Sequence, residues 1–194
     1  IRIAELFWTV VGITLIELTK LTKTQHMKEK THAYIFDFGG TLDTNGTHWF
    51  YIFLDRYCHY YPHLTENDVQ QAYIYTEQTM GQNKEVSNLM SFKDVLEVKI
   101  KLQHNYLLNN FHLSDVKHKN DIVNDCYNFA YQNTTQAKTT LHALHKANKL
   151  AIVSNFYGNL DHVVDDFGLS SYFETIVDSG NVGVAKPNKE IFML

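Results

Sequence analysis

Three short apolar runs, separated by stretches with helical spacing, constrain this chain more than any other feature. Ala33 to Phe38 reads AYIFDF and stops at Gly39-Gly40, Leu150 to Ser154 reads LAIVS, and Thr175-Ile176-Val177 precedes a polar turn from Asp178 to Asn181. Short runs rich in β-branched and aromatic residues, bounded by turn formers, are buried strands. Strands that alternate with helices imply a parallel sheet covered on both faces, with ligands at the carboxyl ends of the strands. Those ends are where the polar residues of this sequence fall.

The segment between the first two strands has no strand-like run. Trp49, Phe53 and Tyr57 recur at four-residue spacing, and Thr65 to Asp68 offers a capping-box start for a helix through about Met80. Helical patterns continue over Ser91 to Leu108, Asp121 to Tyr131 and Thr134 to Asn148. In the second of these, Ile122, Val123, Cys126, Phe129 and Ala130 share one face, and in the last Ala137, Leu141 and Leu144 point inward. After the second strand, Asn159 is placed to cap a helix carrying Leu160, Val163, Val164 and Phe167, and Gly168 supplies its left-handed stop.

With 194 residues, 44% hydrophobic and 20% charged, the chain holds one domain with a sizeable insertion. A net charge of -4 without a basic cluster argues against nucleic acid as a partner. Cys58 and Cys126 lie far apart and form no CxxC, which excludes a disulfide framework and fits a reducing cytoplasm. At the N-terminus the uncharged stretch runs only from Leu6 to Ile16, short of the roughly 20 residues that cross a bilayer, so no membrane partner is expected. The chain opens on Ile1 rather than Met, and Met27 leads through Lys28-Glu29-Lys30 into the first strand. Residues 1–26 are therefore expected to be a leader that is not native, the competing reading being a short amphipathic helix packed on the domain.

Asp37 closes the first strand, Ser154 closes the second, and Lys186-Pro187 follows the third. Each alone is bland: an Asp at a strand end is more often a turn former or a cap. A carboxylate, a hydroxyl and an ammonium at neighbouring strand ends can, however, converge on one point, which is what nucleophilic attack on a phosphoryl group requires.

Together these segments resemble the haloacid dehalogenase-like hydrolase superfamily. Tyr34 to Asp43, YIFDFGGTLD, resembles its first motif, Leu150 to Asn155, LAIVSN, its second, and Val182 to Phe192, VGVAKPNKEIF, its third. Phe167-Gly168-Leu169 with Tyr172-Phe173 resembles the element before the third strand in the subfamily with an inserted helical cap. The resemblance implies a Rossmann-like three-layer α/β/α core with a parallel sheet, built from residues 27–46 and 148–194, with a helical cap at 47–147. It implies Asp37 as the nucleophile of an aspartyl intermediate and Lys186 as the group that orients it. It further implies substrate contacts from Thr41, Ser154 and Asn155, and Mg²⁺ held by Asp37 and the backbone carbonyl of Gly39. The substrate would be a small phosphorylated metabolite. One divalent cation brings together two anions that otherwise repel.

Two departures bear on the chemistry. Phosphatases of the family carry a second Asp two residues after the nucleophile as general acid and base, and here that position is Gly39. Losing such a group typically costs about 10²- to 10⁴-fold in rate. Asp43, the nearest carboxylate downstream, reads as a loop cap. The fourth, acidic motif of the family lies a further helix and strand beyond the third, and the sequence stops at Leu194. The sheet is thus expected to be incomplete on that side, with Ala33 to Phe38 at its edge unless residues 1–26 supply a strand. Gly39 keeps open a carbon-halogen or phosphonate hydrolase; both departures together lead us to expect impaired phosphatase activity in this chain and keep open a non-catalytic binding protein on the same fold.

Among the remaining candidates, His142 and His145 read as surface residues and Arg56 as one end of a surface salt bridge. His48 and Trp49 follow the first motif, where either could face substrate, a packed Trp being the plainer reading.

Overall fold

The computed structural model describes residues 13–16, 32–83, 85–111, 113, 115 and 117–194. Strands β1 (Ile13–Ile16) and β2 (Ala33–Phe36) lead into the helices α1 (Trp49–Tyr60), α2 (Glu66–Asn83), α3 (Phe92–Asn110) and α4 (Lys119–His145). Strand β3 (Lys149–Ser154), helix α5 (Leu160–Asp166), strand β4 (Thr175–Asp178) and the short helix α6 (Ser179–Val182) follow. The sheet order is β1-β2-β3-β4, with β2, β3 and β4 mutually parallel, as the alternation of strands and helices requires.

The expected edge is occupied. Ile13–Ile16 pairs antiparallel with β2 on the side away from β3, so β2 has a neighbour on each side. An apolar strand with a free row of backbone donors and acceptors captures whatever extended segment reaches it. The rest of the expected leader, 1–12 and 17–26, lies outside the described residues. Where that segment is described it is strand, not amphipathic helix.

The helical expectations hold in type and differ at their joints. Thr65 and Asp68 form the reciprocal cap, Asp68 Oδ2 accepting from Thr65 N at 2.8 Å and Thr65 Oγ1 from Asp68 N at 3.3 Å, and α2 runs to Asn83. Ser91 caps α3 in a full capping box with Asp94. The two patterns expected at 121–131 and 134–148 are one helix, α4. Asn133, Thr134 and Thr135, which read as a break, instead donate to the carbonyls of Phe129, Ala130 and Tyr131 at 2.9, 2.9 and 2.7 Å, so their polar groups are satisfied without ending the helix. Asn159 does not cap α5 with its side chain, which donates to Met90 O; Asp178 Oδ2 accepts from Gly158 N at 2.8 Å and Leu160 N at 3.0 Å instead. Gly168 does end the helix region with φ 63°.

One contiguous hydrophobic cluster joins Phe36, Leu150 and Ile152 of the sheet to buried residues of α1, α3, α4 and α5. The opposite face carries a smaller cluster of Val153, Val177 and Ile191. On α3 the buried stripe Phe92, Val95, Leu96, Lys99, Ile100, Gln103, His104 and Leu107 follows helical spacing but includes a lysine, a glutamine and a histidine.

His104 is 1% exposed, its Nδ1 2.9 Å from the Tyr57 hydroxyl and 3.1 Å from Ile100 O. Burial pushes its imidazole down to about 4, so the folded state holds it neutral where the unfolded chain takes up a proton. The contribution to stability is intact above about pH 6.5 and is lost as pH falls towards 4, an effect on the order of 3 kcal/mol. An NMR titration is expected to find His104 unprotonated down to about pH 5, and a midpoint near that of a free histidine would refute this.

Candidate functional site

Strand β2 ends at Phe36, two residues before the apolar run does, because Asp37 Oδ1 accepts from Phe38 N at 2.8 Å and turns the backbone. The chain then makes a tight helical turn over Phe38–Leu42, in which Gly40 takes φ 82°, the left-handed region that a side chain disfavours. Asp37 is left at the carboxyl end of the sheet, with about a third of its side chain exposed.

Parallel pairing of β2 and β3 in the register Phe36↔Ile152 sets Ser154 beside it. Ser154 Oγ donates to Asp37 Oδ1 at 2.7 Å, and Lys186 Nζ stands 2.7 Å from Asp37 Oδ2. The three residues singled out at separate strand ends therefore meet on one carboxylate. Charge-assisted contacts of this length are the stronger class of hydrogen bond and hold the carboxylate in one orientation.

Lys186 is placed by Asn155. The Asn155 side chain accepts from Lys186 N at 2.7 Å and donates to Lys186 O at 3.0 Å, gripping the backbone of the lysine from both sides. One amide N–H of Asn155 is left over for a ligand. Gly39 is exposed, with nothing within 4 Å of where a side chain would begin, and no carboxylate occupies that position. Thr41 is half-buried in the same turn, and among the described residues no hydrogen bond joins it to Asp37.

Asp43 is more than a loop cap. It is fully buried, with Oδ1 accepting from Gly40 N at 2.8 Å and Oδ2 from the Trp49 indole N–H at 2.7 Å. It thus ties the turn after Asp37 to the first residue of α1. Burial pushes its carboxyl up to about 7, against the pull of the hydrogen bonds from Trp49 and Gly40, with Asp37 adding a smaller upward push.

Beside Gly39, Gly40 and Asn155 opens a cavity of about 160 Å³ that runs under α1, α2 and α3. His48 and Trp49 both line it, so the structure places the two residues after the first motif at the site. At its far side are three residues that sequence reasoning missed. Lys99 of α3 and Glu77 of α2 form an ion pair, and the Tyr157 hydroxyl donates to Glu77 Oε2 at 2.8 Å. The Lys99 ammonium also lies 5.1 Å from the centre of the Tyr157 ring. Burial opposes both charges, yet the charge of Lys99 and its hydrogen bond hold Glu77 below the usual carboxylate range, while Tyr157 and Glu77 hold Lys99 above its ordinary value. Burial takes the Tyr157 hydroxyl up to about 12. The available signal was a lysine on the apolar stripe of α3, where an unpaired charge is not tolerated.

His142 and His145 are exposed, and Arg56 pairs with Asp55 at 3.0 Å and Asp125 at 3.8 Å on the surface. Among the described residues no group of three or more His, Cys, Asp or Glu side chains could hold a metal, and no helix is long and apolar enough to cross a membrane.

A family model described as haloacid dehalogenase-like hydrolase matches residues 31–194. Over 57 residues the chain is 42% identical to the pyrimidine 5'-nucleotidase YjjG of Escherichia coli (strain K12). That match takes in 29% of this chain and 25% of the relative, so the chain spans about a quarter of the length of the curated protein it matches.

The raised Asp43 carboxyl has a direct readout. Between about pH 4 and pH 7 the folded state keeps a proton that the unfolded chain has released, so this group's contribution to stability falls as pH rises through that window. Trp49 fluorescence is expected to titrate with a midpoint near 7, and Asp43→Asn is expected to abolish that titration and to remove the opposing fall in stability, so that the rise with pH set by His104 steepens below about pH 6.5. A Trp49 signal that titrates unchanged in the variant would refute the assignment.

Proposed function

The chain belongs to the haloacid dehalogenase-like hydrolases, and on that premise we propose that it is a magnesium-dependent phosphatase acting on a small phosphorylated metabolite. The observation that carries the reading is the convergence of Ser154 and Lys186 on the two oxygens of Asp37, each at 2.7 Å. In this reading an Asp37 oxygen attacks phosphorus, the bond to the leaving-group oxygen breaks, and an aspartyl-phosphate forms that water then hydrolyses. Lys186 orients the carboxylate and balances the charge that builds on the phosphoryl oxygens, while Ser154, Asn155 and Thr41 bind them. The helices of residues 47–147 act as a cap over a core of 27–46 and 148–194, closing the site against water.

The donor set suits a hard cation. Asp37 and the Gly39 carbonyl would hold the metal through oxygen, and Mg²⁺ typically takes one or two carboxylates together with substrate phosphate and keeps several waters. When bound, it supplies positive charge beside carboxylate and phosphate. Cys58 and Cys126 are free thiols, in keeping with a reducing cytoplasm.

Gly39 favours a second reading, a hydrolase of carbon-halogen or phosphonate bonds, because no side chain at that position can protonate a leaving alkoxide. Similarity to a pyrimidine 5'-nucleotidase makes nucleoside 5'-monophosphates the first substrates to try and favours the phosphatase.

The chain is expected to release phosphate from such a panel only with Mg²⁺. Asp37→Asn is expected to lower the rate by at least about 10³-fold and Lys186→Met by about 10²-fold or more. Phosphate release that persists in Asp37→Asn would overturn the mechanism.

A further inference from the structure

The residue that starts α1 is a histidine with a donor that the reading above leaves unused. Thr44 to Thr47 make a tight reversal, with Thr47 N donating to Thr44 O at 3.2 Å and Asn45 and Gly46 at φ 53° and 86°. Consecutive left-handed residues in an Asn-Gly pair form the turn that sends a chain straight back on itself. The returning segment meets the turn after Asp37 on both sides of His48: Thr47 O lies 4.0 Å from where a side chain on Gly40 would begin, and the Trp49 indole donates to Asp43. His48 is exposed and lines the cavity together with Gly39 and Gly40.

Hydrogen bonding fixes what this ring offers. His48 Nδ1 accepts from Phe50 N at 3.2 Å, which needs that nitrogen bare and puts the proton of the neutral ring on Nε2. The Tyr73 ring meets the imidazole edge-on at 5.9 Å. Among the described residues nothing accepts from Nε2. Ser, Thr, Asp and Asn serve a helix start better than His, so capping alone does not account for an imidazole here.

We propose that His48 donates a hydrogen bond from Nε2 to the departing oxygen of the substrate, and that the substrates served carry the phosphoryl group on an acidic oxygen, as acyl, enol and aryl phosphates do. The inference rests on the phosphatase reading and adds to it a catalytic residue and a substrate class.

Proton accounting leads from the residue to the class. A ring with a single proton cannot surrender it without becoming an imidazolate, so His48 stabilises charge on the leaving oxygen without protonating it. At position 39, where an acid would stand, there is no side chain. When Asp37 attacks phosphorus, the electron pair of the breaking P–O bond stays on the leaving oxygen, which departs as an anion held by the Nε2–H and takes a proton from water afterwards. Water then adds to the phosphorus of the aspartyl-phosphate, the bond to Asp37 breaks, and both protons of that water leave with the phosphate. Oxygens of acidic hydroxyls survive as anions and leave readily this way. Alkoxides, those of nucleoside 5'-monophosphates included, leave slowly.

Rates of the whole chain with Mg²⁺ on 4-nitrophenyl phosphate, phenyl phosphate and UMP read this directly. Cleavage of 4-nitrophenyl phosphate is expected to be at least about 10²-fold faster than that of UMP, with phenyl phosphate between them. His48→Asn keeps a good helix cap and removes the ring donor. Its kcat on 4-nitrophenyl phosphate is expected to fall at least about 10-fold, with KM and the thermal midpoint little changed. Gly39 has φ -63°, which any residue adopts, and nothing lies within 4 Å of its Cβ position, so an Asp fits there. Gly39→Asp is expected to raise the UMP rate by about 10²-fold and to leave 4-nitrophenyl phosphate nearly unchanged. Long-range ¹H–¹⁵N NMR, which needs no turnover, is expected to find the His48 proton on Nε2. A proton on Nδ1 instead, equal rates on these esters, or full activity in His48→Asn would each overturn the proposal and leave the phosphatase standing. Phosphate released from none of the esters would sink the phosphatase reading and this inference with it.

Discussion

Everything at the site depends on the parallel pairing of β2 with β3. Asp37 and Ser154 are 117 positions apart in the chain, and only the register that sets Phe36 opposite Ile152 brings their side chains together. A slip of one residue would turn each alternate side chain to the other face of the sheet. Register is held by burial: Phe36, Leu150 and Ile152 belong to one cluster and Val153 with Val177 to the other, so both faces of the sheet resist a shift. Once that pairing is made, Lys186 needs only the grip of Asn155, the residue next to Ser154, to reach the same carboxylate.

Charge is partitioned over a short stretch of sequence. Asp37 stands at the open end of the sheet between a hydroxyl and an ammonium, whereas Asp43 is sealed among a backbone N–H and an indole N–H. Burial favours the neutral form of Asp43 below about pH 7, so in that range the turn does not accumulate two negative charges. Two carboxylates in one turn thus take separate work, one facing solvent and one bracing the frame, with environment rather than chemistry deciding between them.

Much of this was legible in the sequence, for reasons that can be named. Asp37, Ser154 and Lys186 could be placed together because strand ends are topological landmarks, and a parallel sheet gathers them at one edge. The capping pair at Thr65 could be read because it is local. What escaped depends on contacts between distant segments. Asn159 has the chemistry of a cap, but Asp178, from the next strand along, supplies the acceptor. One departure is local instead: the gap expected between Tyr131 and Thr134 is bridged because the side chains of Asn133 to Thr135 donate to carbonyls one turn back. Lys99 went unremarked in the sequence because its partner on α2 and the ring on the loop after β3 come from distant segments. The strand at Ile13–Ile16 was foreseen only as a condition, since pairing at a free edge depends on reach as much as on composition.

Phe38 sits between the Asp37 turn and the rings that line the cavity. Its ring packs on Phe156 and Phe167 beside the sheet and on Phe92 of α3, and Phe92 in turn meets Trp49. The residue next to Asp37 therefore packs directly behind rings that line the cavity. Inheritance in such an arrangement is linked: a substitution that reshapes the cavity for a new ligand is transmitted through the rings to the turn that holds Asp37, and a change in that turn is transmitted back.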